Sequence, residues 1–170
     1  GEREPSKCTD RRRFCELGCG TGGAGISLLL SSLDKTSNNN NNSANDCHVV
    51  FTDNDAESLE LCASNYELND IDPHTYSQRL LGWGSEHLEK AQQQEGENGG
   101  LEPYSFDVVF ATDVIYDLKM IVPLFETVDF LLKEKKSHVI LSHVPRFCIP
   151  KDDEDLVTNG EDDMKLDEDD

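Results

Sequence analysis

Four glycines crowd into six positions near the start of the sequence, in the stretch "CELGCGTGG" (Cys15–Gly23). They are Gly18, Gly20, Gly22 and Gly23, and they follow an apolar run. Glycines at this density let the backbone turn sharply and let another molecule approach the chain closely. The small and apolar residues after them are typical of a helix. The stretch therefore predicts a ligand-binding turn between a strand and a helix.

An acidic residue, Glu16, lies two positions before the first of these glycines. The glycines satisfy the dinucleotide fingerprint GxGxxG, which is weak evidence by itself. A dinucleotide would place its pyrophosphate against the turn, and the Glu16 carboxylate would repel that anion. A cofactor that carries an ammonium group and a sulfonium group would be attracted instead. Glu16 thus favours S-adenosylmethionine over a nicotinamide dinucleotide.

A second acidic residue, Asp53, closes the strand-like segment "HVVFTD" (His48–Asp53). An acid at the end of the second strand can accept hydrogen bonds from ribose hydroxyls. Asp53 follows Gly22 by 31 residues, more than the roughly 20 of a dinucleotide fold. An Asn-rich insertion accounts for the excess. Asp53 therefore indicates a nucleoside ligand, but it fits S-adenosylmethionine and a nicotinamide dinucleotide equally well.

The third stretch whose residues could take part in binding or catalysis is "ATDVIYD" (Ala111–Asp117), where another strand-like segment ends. Ligands of open parallel sheets bind beyond the carboxyl ends of the strands. We therefore expect Thr112, Asp113 and Tyr116 to lie near the glycine turn. The stretch contains no Lys or Arg, which a phosphate site would need. This again favours S-adenosylmethionine.

Segments with the pattern of short buried strands alternate along the chain with helical segments. Strands are predicted at Arg13–Leu17, His48–Asp53, Thr75–Leu81, Phe106–Thr112 and His138–Val144. Helices are predicted at Gly25–Leu33, Ala56–Asn69 and Met120–Lys135, with Asp55 as the N-cap of the second. This alternation predicts an α/β fold, a mostly parallel sheet with helices on both faces.

Two polar low-complexity insertions, Asp34–Asp46 and Lys90–Gly100, are predicted to be mobile surface loops. Residues 1–150 are predicted to form one domain. Residues 151–170 hold eleven acidic residues and two lysines, which predicts a disordered acidic tail.

The 170-residue chain has a formal net charge of −20, which disfavours nucleic-acid binding because that function needs a basic surface. No apolar run is long enough to span a membrane. The six cysteines form no CxxC pair, so a zinc site has no support from their spacing. Unpaired cysteines indicate reduced thiols and a cytoplasmic or nuclear protein.

The motifs "CELGCGTGGAGI", "VVFTDND", "LLGWG" and "FDVVFATDVIYD" occur in the order typical of Class I, seven-β-strand methyltransferases. Over about Arg11–Arg146 the sequence most resembles the eukaryotic methyltransferase-like protein-lysine methyltransferases, which carry an Asp-x-x-Tyr motif after the fourth strand. The resemblance implies a Rossmann-like doubly wound fold and methyl transfer from S-adenosylmethionine to a lysine of a protein substrate. A small-molecule methyltransferase and a non-catalytic cofactor-binding remnant stay open as alternatives.

The resemblance also assigns roles to individual residues. Eight would contact the cofactor: Glu16, Gly18, Gly20, Gly22, Asp53, Asn54, Trp83 and Thr112. The first four would surround its methionine and ribose portions, Asp53 would hold the ribose hydroxyls, and Asn54 and Trp83 would lie near the adenine. Asp113 and Tyr116 would be the catalytic residues. Asp113 would attract and orient the lysine amine, and Tyr116 would stack on its aliphatic stem.

The sequence departs from the family pattern in two places. Gly82 stands where the family commonly has Asp or Asn, so a polar contact to the adenine would be missing. The family also has elements before the first strand and two strands after the fifth, for which this sequence shows no apolar pattern. We therefore expect an incomplete fold of about five strands, in which the edge of the fifth strand is uncovered.

Overall fold

The computed structural model describes residues 11–36, 47–93 and 101–144. In this part of the chain there are five strands: β1 (Arg12–Leu17), β2 (Cys47–Asp53), β3 (Tyr76–Leu80), β4 (Val108–Thr112) and β5 (His138–Ser142). The α-helices are α1 (Gly23–Thr36), α2 (Ala56–Leu68), α3 (Ser85–Gln93) and α4 (Ile121–Leu131). Short 3₁₀ turns precede β3 at Pro73–Thr75 and α4 at Leu118–Met120.

The five strands form one parallel sheet in the order β3-β2-β1-β4-β5. One face packs against α1 and α2 through a cluster that includes Ile26, Phe51 and Tyr66. The other face packs against α3 and α4 through a cluster that includes Leu88 and Leu124. Helices therefore cover both faces, which confirms the predicted doubly wound α/β fold.

The strand order decides which side chains can meet. The chain moves outward from β1 through β2 to β3, then returns to β4 on the other side of β1. The residues that follow β1 are therefore flanked by those that follow β2 and β4. This reversal of strand order is the place where open α/β sheets bind their ligands.

Several element boundaries differ from the predictions. Helix α3 was not predicted, because its sequence "SEHLEKAQQ" is polar and buries little beyond Leu88 and Ala91. The predicted loop at Lys90–Gly100 therefore begins within a helix, and α1 likewise continues to Thr36. Residues 37–46, 94–100 and the acidic tail at 151–170 lie outside the described residues.

For two other helices, the structure confirms one predicted end and corrects another. Asp55 caps α2 as predicted, since its side chain accepts hydrogen bonds from the N–H groups of Glu57 and Ser58. Helix α4, in contrast, ends at Leu131 rather than Lys135. The Lys133 ammonium, predicted to belong to the helix end, pairs with Asp107 at 2.5 Å and ties that loop to the start of β4.

Within the described residues the sheet ends at β5, all five residues of which are exposed. They include Val139, Ile140 and Leu141. The described chain thus shows the uncovered edge that the sequence predicts. No helix within the described residues is long and apolar enough to cross a membrane.

Candidate functional site

The glycine turn after β1 is tightly packed. Gly18 and Gly22 have φ angles of +66° and +78°, a region that residues with a Cβ rarely adopt. A Cβ on Gly18 would lie 2.9 Å from Val114 Cγ1, and one on Gly22 would lie 2.4 Å from Cys62 Sγ. The turn therefore needs glycine at both positions for its conformation and for the close approach of its neighbours.

Asp53 joins the end of β2 to this turn. Its Oδ2 accepts a hydrogen bond from the Gly20 N–H at 2.9 Å, and its Oδ1 accepts one from the Asp55 N–H at 3.1 Å. The Cys19 N–H also donates to the Thr52 carbonyl at 2.8 Å. A carboxylate has about four acceptor positions, so Asp53 keeps capacity for the two hydroxyls of a ribose.

Glu16 lies beneath the turn, with only 1% of its surface exposed. Its Oε2 accepts a hydrogen bond at 3.1 Å from the Gly25 N–H, in the first turn of α1. A Cβ on Gly25 would lie 2.6 Å from this oxygen, so a glycine there makes room for the carboxyl. Burial raises the pKa of Glu16 to about 8, against the opposing effect of the Gly25 N–H. The sequence predicts that the Glu16 carboxylate faces a cationic ligand. The structure shows this carboxyl in contact with the N-terminus of α1. Its contact with a cofactor stays a prediction.

A mostly apolar cavity of about 250 Å³ opens at the carboxyl end of the sheet. Seven described residues line it: Gly18, Asn54, Trp83, Val114, Tyr116, Asp117 and Met120. Gly18, Asn54, Trp83 and Tyr116 are four of the predicted site residues, although they lie far apart in the sequence. The structure thus brings the turns after β1, β2, β3 and β4 around one space.

Asp113 lies directly after β4 and has a φ of +52°. Its N–H donates to the Ser142 carbonyl at 2.8 Å, across the end of the sheet. A residue other than glycine in this conformation costs roughly 1 kcal/mol and is often found at functional sites. Its side chain is half-buried and does not line the cavity, whereas Tyr116 lines it and is 73% exposed. Thr112, the last residue of β4, is exposed beside them.

The sequence profile of a known family matches residues 2–159, and that family is described as lysine methyltransferase. The chain belongs to the lysine methyltransferase family. This confirms the resemblance that the motifs indicated. The comparison with curated proteins yields no matching relative.

Solved structures share the fold of this lysine methyltransferase family member. The citrinin polyketide synthase CMeT domain matches with a TM-score of 0.50 and 14% identity, over 79% of this chain and 29% of that one. Coclaurine N-methyltransferase, bound to N-methylheliamine and SAH, matches with a TM-score of 0.49 and 15% identity, over 81% and 32%. The family match, the parallel five-stranded sheet and the similarity to the CMeT domain together identify the Rossmann-like Class I methyltransferase fold. The chain spans about a third of the length of each of these two proteins.

Three residues of the cavity wall in this family member were not predicted from the sequence: Val114, Asp117 and Met120. Val114 is buried against Gly18. Asp117 caps the short turn before α4, with its Oδ1 accepting a hydrogen bond from the Lys119 N–H at 2.9 Å. Asp117 belongs to the "DVIYD" stretch, but no spacing rule indicated that this residue lines the cavity.

Thr127 of α4 was also not predicted, although it supports the cavity. It is fully buried, and its Oγ1 accepts a hydrogen bond from the Gly84 N–H at 2.9 Å. The same hydroxyl donates to the Pro123 carbonyl at 2.9 Å. The contact fixes the turn that carries Trp83 on the cavity wall. The two partners are 43 residues apart, so local sequence gives no signal of their contact.

We expect Thr127→Val to destabilise the protein by about 1–3 kcal/mol, because the buried Gly84 N–H loses its acceptor. Valine has nearly the same shape, so little packing changes. Urea unfolding would measure the free energy, and the emission of Trp83, the only tryptophan, would report the altered turn. The control is Thr127→Ser, which keeps the hydroxyl. Equal stability of the Val and Ser variants would contradict this role.

Proposed function

We propose that this chain binds S-adenosylmethionine and transfers its methyl group to the side-chain amine of a lysine in a protein substrate. The observation that carries the cofactor assignment is the position of Asp53, hydrogen-bonded to the glycine turn next to the cavity. The family match supports lysine as the methyl acceptor. The solved structure of coclaurine N-methyltransferase holds N-methylheliamine, so the fold alone would also accommodate a small-molecule acceptor.

The arrangement around the cavity suits the different parts of the cofactor. Trp83 and Asn54 follow β3 and β2, and they provide an aromatic face and an amide for the adenine end. Asp53 lies next to Gly20, where it would accept hydrogen bonds from the ribose hydroxyls. Gly18 follows β1, between the Asp53 side and the Val114 side of the cavity. The methionine end would therefore point towards the residues that follow β4.

The residues after β4 would position the acceptor. When bound, the cofactor supplies a sulfonium-activated methyl group, and its leaving group departs neutral, so no general acid is needed. The protein must hold a deprotonated amine in line with the methyl carbon, and positioning of this kind can supply several kcal/mol. Asp113 would attract the lysine ammonium and orient the amine after its proton passes to water. The exposed ring of Tyr116 would pack along the aliphatic stem.

A binding titration tests the cofactor assignment. We expect S-adenosylhomocysteine to bind and to change the fluorescence of Trp83, and NAD to cause no saturable change. Asp53→Asn should weaken binding at least tenfold, because ribose hydroxyls lose a charged acceptor worth about 1.5–3 kcal/mol. The matched control is Asp55→Asn, which removes a neighbouring charge and keeps the α2 cap. Binding of NAD in preference to S-adenosylhomocysteine would refute the assignment.

Methyl incorporation tests the acceptor. The protein would be incubated with a cell lysate and S-adenosylmethionine labelled in the methyl group, and labelled proteins would be hydrolysed to amino acids. We expect the label in methyl-lysine. Label only in small molecules would instead support the small-molecule alternative.

A further inference from the structure

The glycine turn after β1 is held from two sides. Three of its residues have positive φ angles: Gly18, Gly20 and Gly22. From the end of β2, the Asp53 carboxylate accepts a hydrogen bond from the Gly20 N–H at 2.9 Å. From α2, the side-chain amide of Asn65 donates to the Thr21 carbonyl at 2.8 Å. A helix side chain therefore fixes the turn together with the end of the neighbouring strand.

We propose that Asn65 is a positioning residue, which holds the glycine turn in the conformation that binds S-adenosylmethionine. This inference rests on the proposed function and concerns the cofactor end of the same site. Asn65 acts through the Thr21 carbonyl and sets the path of the backbone that the cofactor approaches.

The contact is directional and belongs to one face of α2. A carbonyl oxygen can only accept a hydrogen bond, so the NH₂ group of Asn65 must point at Thr21. Three residues earlier on the helix is Cys62, whose Sγ would lie 2.4 Å from a Cβ on Gly22. Residues three apart share a helix face. The same face of α2 thus packs against the turn and donates a hydrogen bond to it.

The size of the effect follows from the freedom of a glycine-rich backbone. Such a turn samples several conformations unless contacts select one of them. If a fraction of the molecules has the binding conformation, the apparent dissociation constant is the intrinsic constant divided by that fraction. A neutral hydrogen bond changes a population by up to about tenfold. Loss of the Asn65 contact should therefore weaken cofactor binding about fivefold.

Two substitutions separate the donor from the shape of the side chain. Asn65→Ala removes the amide, and alanine has the higher helix propensity, so a loss of affinity would not come from a weaker α2. Asn65→Asp keeps the shape but presents only acceptor oxygens to the Thr21 carbonyl. The matched control is Asn69→Ala. It removes an amide that donates to the Asn65 carbonyl at 2.8 Å, at the end of the same helix and away from the turn.

The full chain and the three variants would be titrated calorimetrically with S-adenosylhomocysteine, and urea unfolding would measure their stability. We expect the affinity to fall about fivefold in Asn65→Ala, at least as much in Asn65→Asp, and not at all in Asn69→Ala. The unfolding midpoint of Asn65→Ala should stay close to the native one. Its KM for S-adenosylmethionine should rise while its kcat for methyl transfer is unchanged, because saturating cofactor restores the binding conformation.

Four results would overturn the inference. Native affinity in Asn65→Ala would show that the turn keeps its conformation without this contact. Native affinity in Asn65→Asp would assign the effect to the shape of the side chain. An equal loss in Asn69→Ala would indicate a general effect of the helix end, and a lower kcat in Asn65→Ala would place the residue in the chemical step. The proposed function fails by a different result, which is the failure of the native protein to bind S-adenosylhomocysteine at all.

Discussion

Replacement of Asp113 by Asn is expected to lower methyl transfer about 100-fold and to leave the affinity for S-adenosylhomocysteine within about threefold. The loss follows from removal of the charge that attracts and orients the lysine amine. Cofactor affinity should persist because Asp113 is assigned to the acceptor, whereas the adenine and ribose are assigned to Asp53, Asn54 and Trp83. Asparagine is the informative replacement, since it tolerates the left-handed conformation at φ +52°. Alanine would add backbone strain to the loss of charge.

The chain contains a matched control for this substitution. Asp70 has the same φ of +52° and is exposed after α2. Asp70→Asn makes the same chemical change in the same backbone conformation, away from the cavity, and should leave transfer unchanged. Transfer would be measured by incorporation of labelled methyl groups, and affinity by calorimetry. An equal loss of transfer and affinity in Asp113→Asn would identify Asp113 as a cofactor ligand or a structural group.

The parts of the site that could be predicted are those encoded locally. The glycine turn is one continuous stretch, and Asp53 closes a strand whose apolar pattern is clear. The rule that ligands bind at the carboxyl ends of parallel strands then brings these segments together with the one that follows β4. This reasoning depends only on strand order, which the alternation of strands and helices already restricts.

The parts that could not be predicted depend on contacts between distant residues. Thr127 and Gly84 meet only because α4 packs beside the turn after β3. Helix α3 has too few apolar residues to show a period, and its existence depends on Leu88 and Ala91 reaching the core. Asp117 lies at the cavity wall because of the short turn before α4, which sequence spacing does not define.

Glu16 shows how two physical effects compete for one residue. The sequence argument considers only the attraction between a carboxylate and a cationic ligand. In the structure the carboxyl is buried and accepts a hydrogen bond from the Gly25 N–H at the start of α1. A helix N-terminus favours negative charge. Burial nevertheless has the larger effect, since the pKa is raised to about 8. Without a ligand, Glu16 is therefore mostly protonated at neutral pH.

We expect Glu16→Gln to remove a loss of stability that the native protein suffers as the pH rises. The folded-state pKa of about 8 lies above the ordinary value of 4.5. Between these values the folded protein holds a proton that the unfolded chain releases, so the stability falls as the pH rises through this range. The full effect is on the order of 5 kcal/mol. Glutamine keeps an oxygen acceptor for the Gly25 N–H and cannot ionise.

Urea unfolding at pH 5, 7 and 9 would measure this effect as the difference between the two proteins, which cancels the titration of other groups. The variant should gain stability relative to the native protein as the pH rises, whereas the exposed control Glu57→Gln should follow the native curve. Parallel curves for Glu16→Gln would mean that the carboxyl titrates normally.

A cofactor that places a positive charge near Glu16 should favour its ionised form. S-adenosylmethionine should then release a proton from the native protein near pH 7, seen as buffer-dependent binding heats, and release none from the variant.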